Sequence, residues 1–238
     1  MKNNKIWAIV GAVGVGILLL SNRKNIVDIA KSMKRTFKNE GTWEAENAHQ
    51  AKDIGNYYPK ETKANAPNRV YYGTNYGITA SFLVDHFKVL QIPLAGIDTI
   101  KKLTAEDAKE IYAKVIGRQI RYSDMTNQAV ADFIFDWWIH RPATCLRYMT
   151  EDIFDLPEGS ATTKGAFSDL MMRKINGSNP AELYNSLKFW RLYYLTYSET
   201  YKSFRKGVYN RIVSFKDYPD SAAVVDMMAK AKAKAFGN

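Results

Sequence analysis

Apolar residues recur at every third or fourth position along most of the chain, the spacing that lines one face of an α-helix. The clearest example follows Thr126, where apolar side chains fill one helical face until Pro142. Strand signals are scarce, so the pattern predicts an all-α fold. Helices are predicted to begin at Asn25, Thr79, Thr104, Thr162 or Thr163, and Asn179. Two further helices are predicted, one from Ala129 to Trp138 in the half that starts near Thr126, and one through Ala143, Leu146 and Met149.

The same pattern predicts where helices end and where the chain is irregular. The first helix is expected to end at Glu40, and the helix from Thr79 is expected to run unbroken to Leu90. Gly96–Lys102 is interpreted as a connection. The tail from Met228 is rich in Ala and Lys, which predicts a solvated helix or a frayed end.

An uncharged run near the N-terminus predicts contact with a membrane. Ile6–Leu20 spans roughly 22 Å as a helix, against about 30 Å for a bilayer core. Basic residues flank it on both sides, as at membrane boundaries. A cleaved signal peptide and a buried core helix are the alternatives, and a retained signal anchor fits best because Leu18-Leu19-Leu20-Ser21 is a poor cleavage site.

Composition narrows the class of partner. The formal net charge of +10 over 238 residues predicts an anionic partner, which leaves nucleic acid, anionic lipid and cell-wall polymer as candidates. The chain has neither a Gly-rich phosphate loop nor a known nucleic-acid recognition motif, so nucleic acid is not expected. Cys145 is the single cysteine, which rules out an intramolecular disulfide.

The stretch from Phe37 to Thr79 has the residue types that a glycosidase needs. Glu40 stands in the last turn of the first predicted helix, where the helix dipole and the flanking Phe37 and Trp43 favour a protonated carboxyl group. A protonated carboxyl group is what a general acid requires. Taken alone, Glu40 also fits a solvated surface residue, and Asp53 and Thr74 fit ordinary turn residues.

Three motifs in this stretch resemble glycoside hydrolase family 108, the phage-type N-acetylmuramidases. Glu40-Gly41-Thr42-Trp43, Asp53-Ile54-Gly55 and Gly77-Ile78-Thr79 stand where that family has Glu-Gly-Gly-Tyr, Asp-x-Gly-Gly-x-Thr and Gly-Ile-Thr. Thr42 and Trp43 depart from the family motif, and the loop before Thr74 is longer than in the family.

The resemblance implies a lysozyme-like helical catalytic domain and assigns roles to individual residues. It implies that Glu40 is the general acid, that Asp53 activates water or stabilises the sugar cation, and that Thr74 orients the water. Predicted sugar-contacting residues are Trp43, Tyr57, Asn75 and Tyr76. No metal or organic cofactor is expected, since Glu44, Glu46 and His49 lack a nearby Cys or second His that would complete a zinc site.

A second resemblance concerns the C-terminal half. The segment from Phe204 to Arg211 resembles the Gly-Trp-x-x-Arg signature of the peptidoglycan-binding domain that usually follows the catalytic domain, with Val208 in place of the Trp. The predicted domains are a signal anchor at 1–24, a muramidase domain at 25–125, a helical peptidoglycan-binding domain at 126–216 and a tail at 217–238.

The resulting hypothesis is a muramidase that cleaves the β-1,4 bond between N-acetylmuramic acid and N-acetylglucosamine. Its expected partners are bacterial peptidoglycan and, through residues 6–20, the bacterial inner membrane, on the side that faces the periplasm or wall. The expected state is a monomer with a role in phage lysis or secretion. Two alternatives stay open: a lytic transglycosylase, against which Asp53 argues, and a non-catalytic membrane-tethered wall-binding protein, against which Glu40-Gly41 argues.

Overall fold

A computed structural model describes residues 27–40, 43–46, 54–58 and 70–237, with side chains except at 38–40 and 54. Most of these residues are helical, as predicted. The α-helices are Ile29–Glu40 (α1), Ala80–Asp85 (α2), Phe87–Leu90 (α3), Ile97–Lys101 (α4), Ala105–Tyr112 (α5), Gln128–His140 (α6), Pro142–Tyr148 (α7), Asp169–Gly177 (α8), Pro180–Tyr197 (α9), Arg205–Val213 (α10) and Ala222–Phe236 (α11). Within the described ranges, no helix is long and apolar enough to cross a bilayer. The predicted signal anchor at 1–24 lies outside them.

Three short antiparallel hairpins interrupt the helices. Their strands are Tyr57–Tyr58 (β1), Val70–Tyr71 (β2), Thr74–Asn75 (β3), Ile78–Thr79 (β4), Thr162–Thr163 (β5) and Ala166–Phe167 (β6). The pairs are β1 with β2, β3 with β4 and β5 with β6. The first two hairpins follow α1 and lie in the stretch that carries the candidate chemistry.

The third hairpin corrects a prediction. A helix was predicted to begin at Thr162 or Thr163, but Lys164 and Gly165 adopt positive φ angles of 50° and 77° and turn the chain into a hairpin. A lone lysine rarely takes this conformation, whereas the glycine after it takes it without a steric penalty. The helix, α8, begins only after Ser168, whose hydroxyl accepts a hydrogen bond from the Met171 amide.

Capping side chains explain which helix starts were predicted correctly. Thr79, Thr104 and Asn179 each accept a backbone N–H in the first turn of the helix that follows. Thr104 and Asp107 form a full capping box. The helix from Thr79 is nevertheless not continuous to Leu90, because it breaks at His86 into α2 and α3.

Two other predictions about helix positions are wrong. α1 begins at Ile29 rather than Asn25, because the Asp28 carboxylate accepts the Ala30 amide at 2.9 Å and caps the helix there. Gly96–Lys102, interpreted as a connection, contains the short helix α4. For α1, Asn25 and Asp28 are both residue types that cap helices, and sequence spacing does not choose between them. α4 has five residues and begins after Gly96, which supplies no side-chain cap, so no capping signal marks its start.

The C-terminal tail is also part of the fold. A solvated helix or a frayed end was expected from Met228, and the segment is helical, as the second half of α11. α11 packs along α9 and buries Val224 and Met227 before this segment and Ala231 within it. The Ala- and Lys-rich composition gives α11 a narrow apolar stripe that matches the face of α9. The tail therefore contributes to the hydrophobic core.

One hydrophobic core runs through the described part of the chain. It includes Met33 of α1, Phe133 and Trp137 of α6, Leu187 of α9 and Ile212 of α10. α6 packs against α1 on one side and against α9 on the other. The segments predicted as separate domains at 25–125 and 126–216 therefore share this core, and the boundary between them stays a prediction.

A buried carboxylate connects four helices at the centre of this core. Asp136 of α6 accepts hydrogen bonds from Arg191 of α9 at 2.8 Å and from Arg211 of α10 at 2.6 to 3.0 Å. Thr36 of α1 donates a further bond at 3.3 Å. Burial alone raises the pKa of Asp136, but the two guanidinium groups outweigh it and hold that pKa well below the usual range.

Polar side chains also fill the interface between α1 and α6. The Gln128 amide group exchanges hydrogen bonds with the backbone of Asp28 at 2.6 and 3.2 Å, and the buried Ser32 hydroxyl donates to Asp132. Burial raises the pKa of Asp132, although the bonds from Ser32 and Gln128 oppose that change. With the Thr36–Asp136 bond, the contacts pair positions 28, 32 and 36 with positions 128, 132 and 136. Successive pairs are therefore four residues apart on both sides of the interface.

The Asp136 cluster makes a prediction about stability. Asp136→Asn keeps the side-chain shape but removes the anion that both buried guanidinium groups bind, so unfolding by urea should cost about 3–5 kcal/mol less than in the wild type. Because the folded-state pKa of Asp136 is lowered, its stabilisation is present above the unfolded pKa of about 3.9 and is lost as pH falls through the folded-state value. The gap between wild type and variant should therefore narrow below about pH 4.

The matched control is Asp226→Asn on α11, where Asp226 pairs with Lys230 at 2.7 Å and both side chains are more than half exposed. This variant should stay within about 0.5 kcal/mol of the wild type. If both variants lose the same free energy of unfolding, the buried cluster contributes no more to stability than an exposed ion pair.

Candidate active site

The candidate acid stands where the sequence predicts it along the backbone. Glu40 is the last residue of α1. The next described segments along the chain are 43–46, 54–58, which ends in β1, and the segment that begins with β2 at Val70. Asp53, the predicted second carboxylate, lies outside the described residues. The site can therefore be described through the loops and hairpins that follow the acid.

Trp43 connects the segment 43–46 to the turn between β2 and β3. Its indole Nε1 donates to the Tyr72 carbonyl at 2.9 Å, and the Lys101 ammonium group lies 4.7 Å from the ring centroid. Gly73 makes this approach possible, because a Cβ atom there would lie 2.6 Å from Trp43 Nε1. Gly73 also has a φ of 73°, which favours glycine.

Asn56 organises the turn that holds Thr74. Its buried backbone carbonyl accepts the amides of Tyr72 and Gly73 at 2.8 and 3.0 Å. The Thr74 hydroxyl donates to Asn56 Oδ1. The orientation of Thr74 is therefore set by a residue 18 positions earlier, which sequence spacing did not single out.

Two predicted sugar-contacting residues are buried structural residues instead. Tyr57 is 6% exposed, and its hydroxyl donates to Glu46 Oε1 at 2.5 Å. Asn75 is 4% exposed, and its Nδ2 lies within 3.0 to 3.3 Å of three carbonyl groups at the end of α4. Both side chains support the hairpins, so neither presents a face on which a sugar ring stacks.

Tyr76 connects the second hairpin to the end of α1. Its backbone has a φ of 51°, and its carbonyl accepts the Tyr112 hydroxyl at 2.9 Å. Its half-buried ring lies 5.3 Å from the ring of Phe37, which belongs to the last turn of α1. This aromatic contact fixes the distance between the hairpin that carries Thr74 and the helix end that carries Glu40.

The Arg of the predicted wall-binding signature has a structural role. Arg211 is buried and bonds Asp136 through Nε and Nη2, and Val208, at the position of the signature Trp, packs against the core. Among the described residues, no three His, Cys, Asp or Glu side chains converge as they would around a metal ion.

Comparison with known proteins gives two findings. Residues 33–141 match the family model described as Glycosyl hydrolase 108, a segment that runs from α1 to just past the end of α6. A solved structure titled "Structure of Brucella abortus SagA" matches with a TM-score of 0.56 and 20% identity, covering 87% of this chain and 95% of that one. At this identity the match supports the fold. No curated protein matches the chain.

The segment matched by the family model contains Glu40, Asp53 and Thr74, the three residues predicted to act on the glycosidic bond. It also contains the two hairpins and the whole of α6. The match over residues 33–141 supports a glycoside hydrolase, and the described residues form an all-α, lysozyme-like fold.

Proposed function

We propose that this glycoside hydrolase is an endolysin-type N-acetylmuramidase that cleaves the β-1,4 bond between N-acetylmuramic acid and N-acetylglucosamine in peptidoglycan. The family match and the fold support a peptidoglycan hydrolase at the coarser level. The observation that carries the finer proposal is the position of Glu40. It ends α1, within the matched segment, and the Phe37–Tyr76 contact holds the Thr74 hairpin beside that helix end.

In the proposed reaction, Glu40 gives its proton to the glycosidic oxygen as the bond from that oxygen to the anomeric carbon breaks. The oxocarbenium-like transition state needs negative charge or an activated water on the other face of the sugar, and Asp53 supplies one of these. The separation of the two carboxyl groups would distinguish a retaining from an inverting course.

Thr74 is proposed to orient the attacking water. Its hydroxyl hydrogen is directed to Asn56 Oδ1, so its oxygen is left to act as an acceptor. An acceptor at that position binds one hydrogen of a water molecule, so a lone pair of that water points away from Thr74. This geometry supports the role in positioning water over a role in proton transfer.

Two other functions make different demands on the same residues. A lytic transglycosylase would use Glu40 alone and would not need Asp53. A non-catalytic wall-binding protein would need neither carboxylate. Residues 126–216 are proposed to bind glycan strands, but since Arg211 is committed to Asp136, that binding must rest on other residues of this segment.

The proposed roles predict large losses of rate. Glu40→Gln removes the proton donor and Asp53→Asn removes the anion, so each should lower the rate of wall lysis by about 10²–10⁴-fold. Turbidity of a suspension of purified cell walls measures the rate. Glu106→Gln, at an exposed position in the first turn of α5, is the control and should keep the wild-type rate.

Wild-type lysis by Glu40→Gln would contradict the enzymatic proposal as a whole. An active Asp53→Asn together with an inactive Glu46→Gln would instead show that the second carboxylate is Glu46, which already accepts the Tyr57 hydroxyl.

The close contact between Gly73 and Trp43 predicts that a larger residue at position 73 lowers both stability and activity. Gly73→Ala adds a Cβ that collides with the indole at a backbone conformation with positive φ, so it should destabilise the fold by about 1–3 kcal/mol and reduce lysis. Gly177→Ala, at the end of α8 with nothing within 4 Å of the added Cβ, is the control and should change neither. Thermal unfolding and the turbidity assay check both, and equal effects would contradict the role of the contact.

Membrane attachment through residues 6–20 is proposed from the uncharged run and its basic flanks. Replacing Gly11, Gly14 and Gly16 with Leu makes the run more lipophilic, so fractionation should find the variant retained in the membrane and lysis should be delayed. Release of the variant on the wild-type schedule, or a mature wild type that lacks residues 1–20, would contradict the proposal.

A further inference from the structure

One face of α9 is aromatic where the solvent side of a helix is ordinarily polar. Between positions 189 and 197, each residue that is not buried is aromatic: Phe189, Trp190, Tyr193, Tyr194 and Tyr197. Tyr193 is 37% exposed and Tyr197 is 59% exposed. Exposed apolar side chains gathered on one face of a folded protein mark an interaction surface.

Four of these rings follow one another along the helix. Phe189, Tyr193 and Tyr197 are spaced by four positions, so they lie on one side of α9 over about 12 Å. Their successive ring centroids are 6.4 Å and 4.7 Å apart, and the Trp190 ring lies 5.3 Å from those of Phe189 and Tyr193. These four residues form the α9 aromatic row, which is long enough to contact more than one sugar of a polymer.

An open groove adjoins the row at its N-terminal end. Its volume is about 420 Å³, and small-ligand sites measure about 300–1,000 Å³. Phe189 and Trp190 line the groove, as do the polar residues Glu182 and Ser221. The Ser221 hydroxyl oxygen accepts a backbone amide of α11, so its hydrogen is left for a ligand, and the exposed Glu182 carboxylate is an acceptor. The groove therefore combines apolar rings with a donor and an acceptor.

A cation lies beside the row. Tyr148 of α7 stacks on Trp190 with their ring centroids 5.1 Å apart, and the Arg147 guanidinium lies 4.2 Å from the Tyr148 centroid. The Arg147 side chain is 49% exposed, and its ion pair with the exposed Glu151 is long, at 3.8 Å. An exposed pair of this length contributes little, so Arg147 can bind an anionic group of a ligand.

This combination fits a peptidoglycan strand better than a membrane surface. A pyranose ring presents C–H groups on its face, and their partial positive charge complements the negative face of an aromatic ring. Hydroxyl and N-acetyl groups at the sugar edge need a donor and an acceptor, and the carboxylate of muramic acid complements Arg147. A helix that lies on a membrane has Lys and Arg on its polar face, whereas between positions 189 and 197 no exposed or half-buried residue is basic.

We propose that the α9 aromatic row, the adjoining groove and Arg147 bind a peptidoglycan glycan strand outside the candidate active site. Sugar rings stack on the row, the groove takes an N-acetyl sugar, and Arg147 pairs with a muramic acid carboxylate. This inference rests on the proposed function, because it takes peptidoglycan as the substrate. The surface lies outside the segment 33–141 that the family model matches, so its role is to hold the enzyme on the wall.

The test is co-sedimentation of the full chain with purified peptidoglycan walls on ice, together with kcat on short soluble peptidoglycan fragments. Tyr193→Ala combined with Tyr197→Ala removes two exposed rings, so the Kd for walls should rise at least about tenfold. The kcat on short fragments should keep the wild-type value. Tyr193→Phe combined with Tyr197→Phe keeps both rings and should retain most of the wild-type affinity.

Phe236→Ala is the matched control, because Phe236 is an aromatic residue at 39% exposure at the end of α11, outside the row. This variant should bind walls as the wild type does. Arg147→Gln should weaken binding to walls and leave binding to neutral N-acetylglucosamine oligomers unchanged. A thermal unfolding curve accompanies each variant, and if the double alanine variant unfolds below the assay temperature, Tyr197→Ala decides.

Wild-type wall affinity in the folded double alanine variant would overturn the proposal. So would unchanged wall binding combined with lost binding to vesicles of phosphatidylglycerol and phosphatidylethanolamine, or with lost self-association in ultracentrifugation. An equal loss of kcat on short fragments would contradict a separate binding surface, and unchanged wall binding by Arg147→Gln would remove Arg147 from it.

Failure of the proposed function has a different result. A wild type that leaves peptidoglycan uncleaved would overturn hydrolysis. Loss of wall binding in the double alanine variant would then still support the surface.

Discussion

The buried Asp136 carboxylate is the interaction on which the arrangement of the helices depends. A charge at 1% exposure is tolerated in a protein core only when it is paired and hydrogen-bonded, and Asp136 meets both conditions through Arg191 and Arg211. These partners come from α9 and α10, so neither helix can rotate without breaking an ion pair. Because Thr36 bonds the same carboxylate, α1 is held in the same arrangement.

This constraint extends from the core to the candidate site. The register between α1 and α6 positions the backbone of Glu40 at the end of α1, and the Phe37–Tyr76 ring contact ties that end to the second hairpin. Asn56 then fixes Thr74 within the hairpin. The candidate site is therefore built from a helix end and hairpins whose positions are set by a rigid helical frame, as is common where loops bear function.

Elements governed by local rules were predictable from the sequence, and those governed by distant partners were not. Thr79, Thr104 and Asn179 cap helices because capping needs only a side chain and the next turn. Asp132 and Asp136 in an otherwise apolar helix carried a signal that was not used, since a buried carboxylate requires a partner. Arg191, 55 positions away, could not be identified as that partner by spacing. Tyr57 and Asn75 were assigned to sugar contact because their types suit it, while their burial depends on tertiary packing.

The central claim is that the protein hydrolyses the bond on the reducing side of N-acetylmuramic acid by acid catalysis from the end of α1. Mass spectrometry of peptidoglycan digested by the full chain in water enriched in ¹⁸O tests this claim most directly. Fragments that end in reducing N-acetylmuramic acid with one ¹⁸O atom are predicted, since water adds to the anomeric carbon. Fragments that end in anhydro-muramic acid without ¹⁸O, or in reducing N-acetylglucosamine, would contradict it.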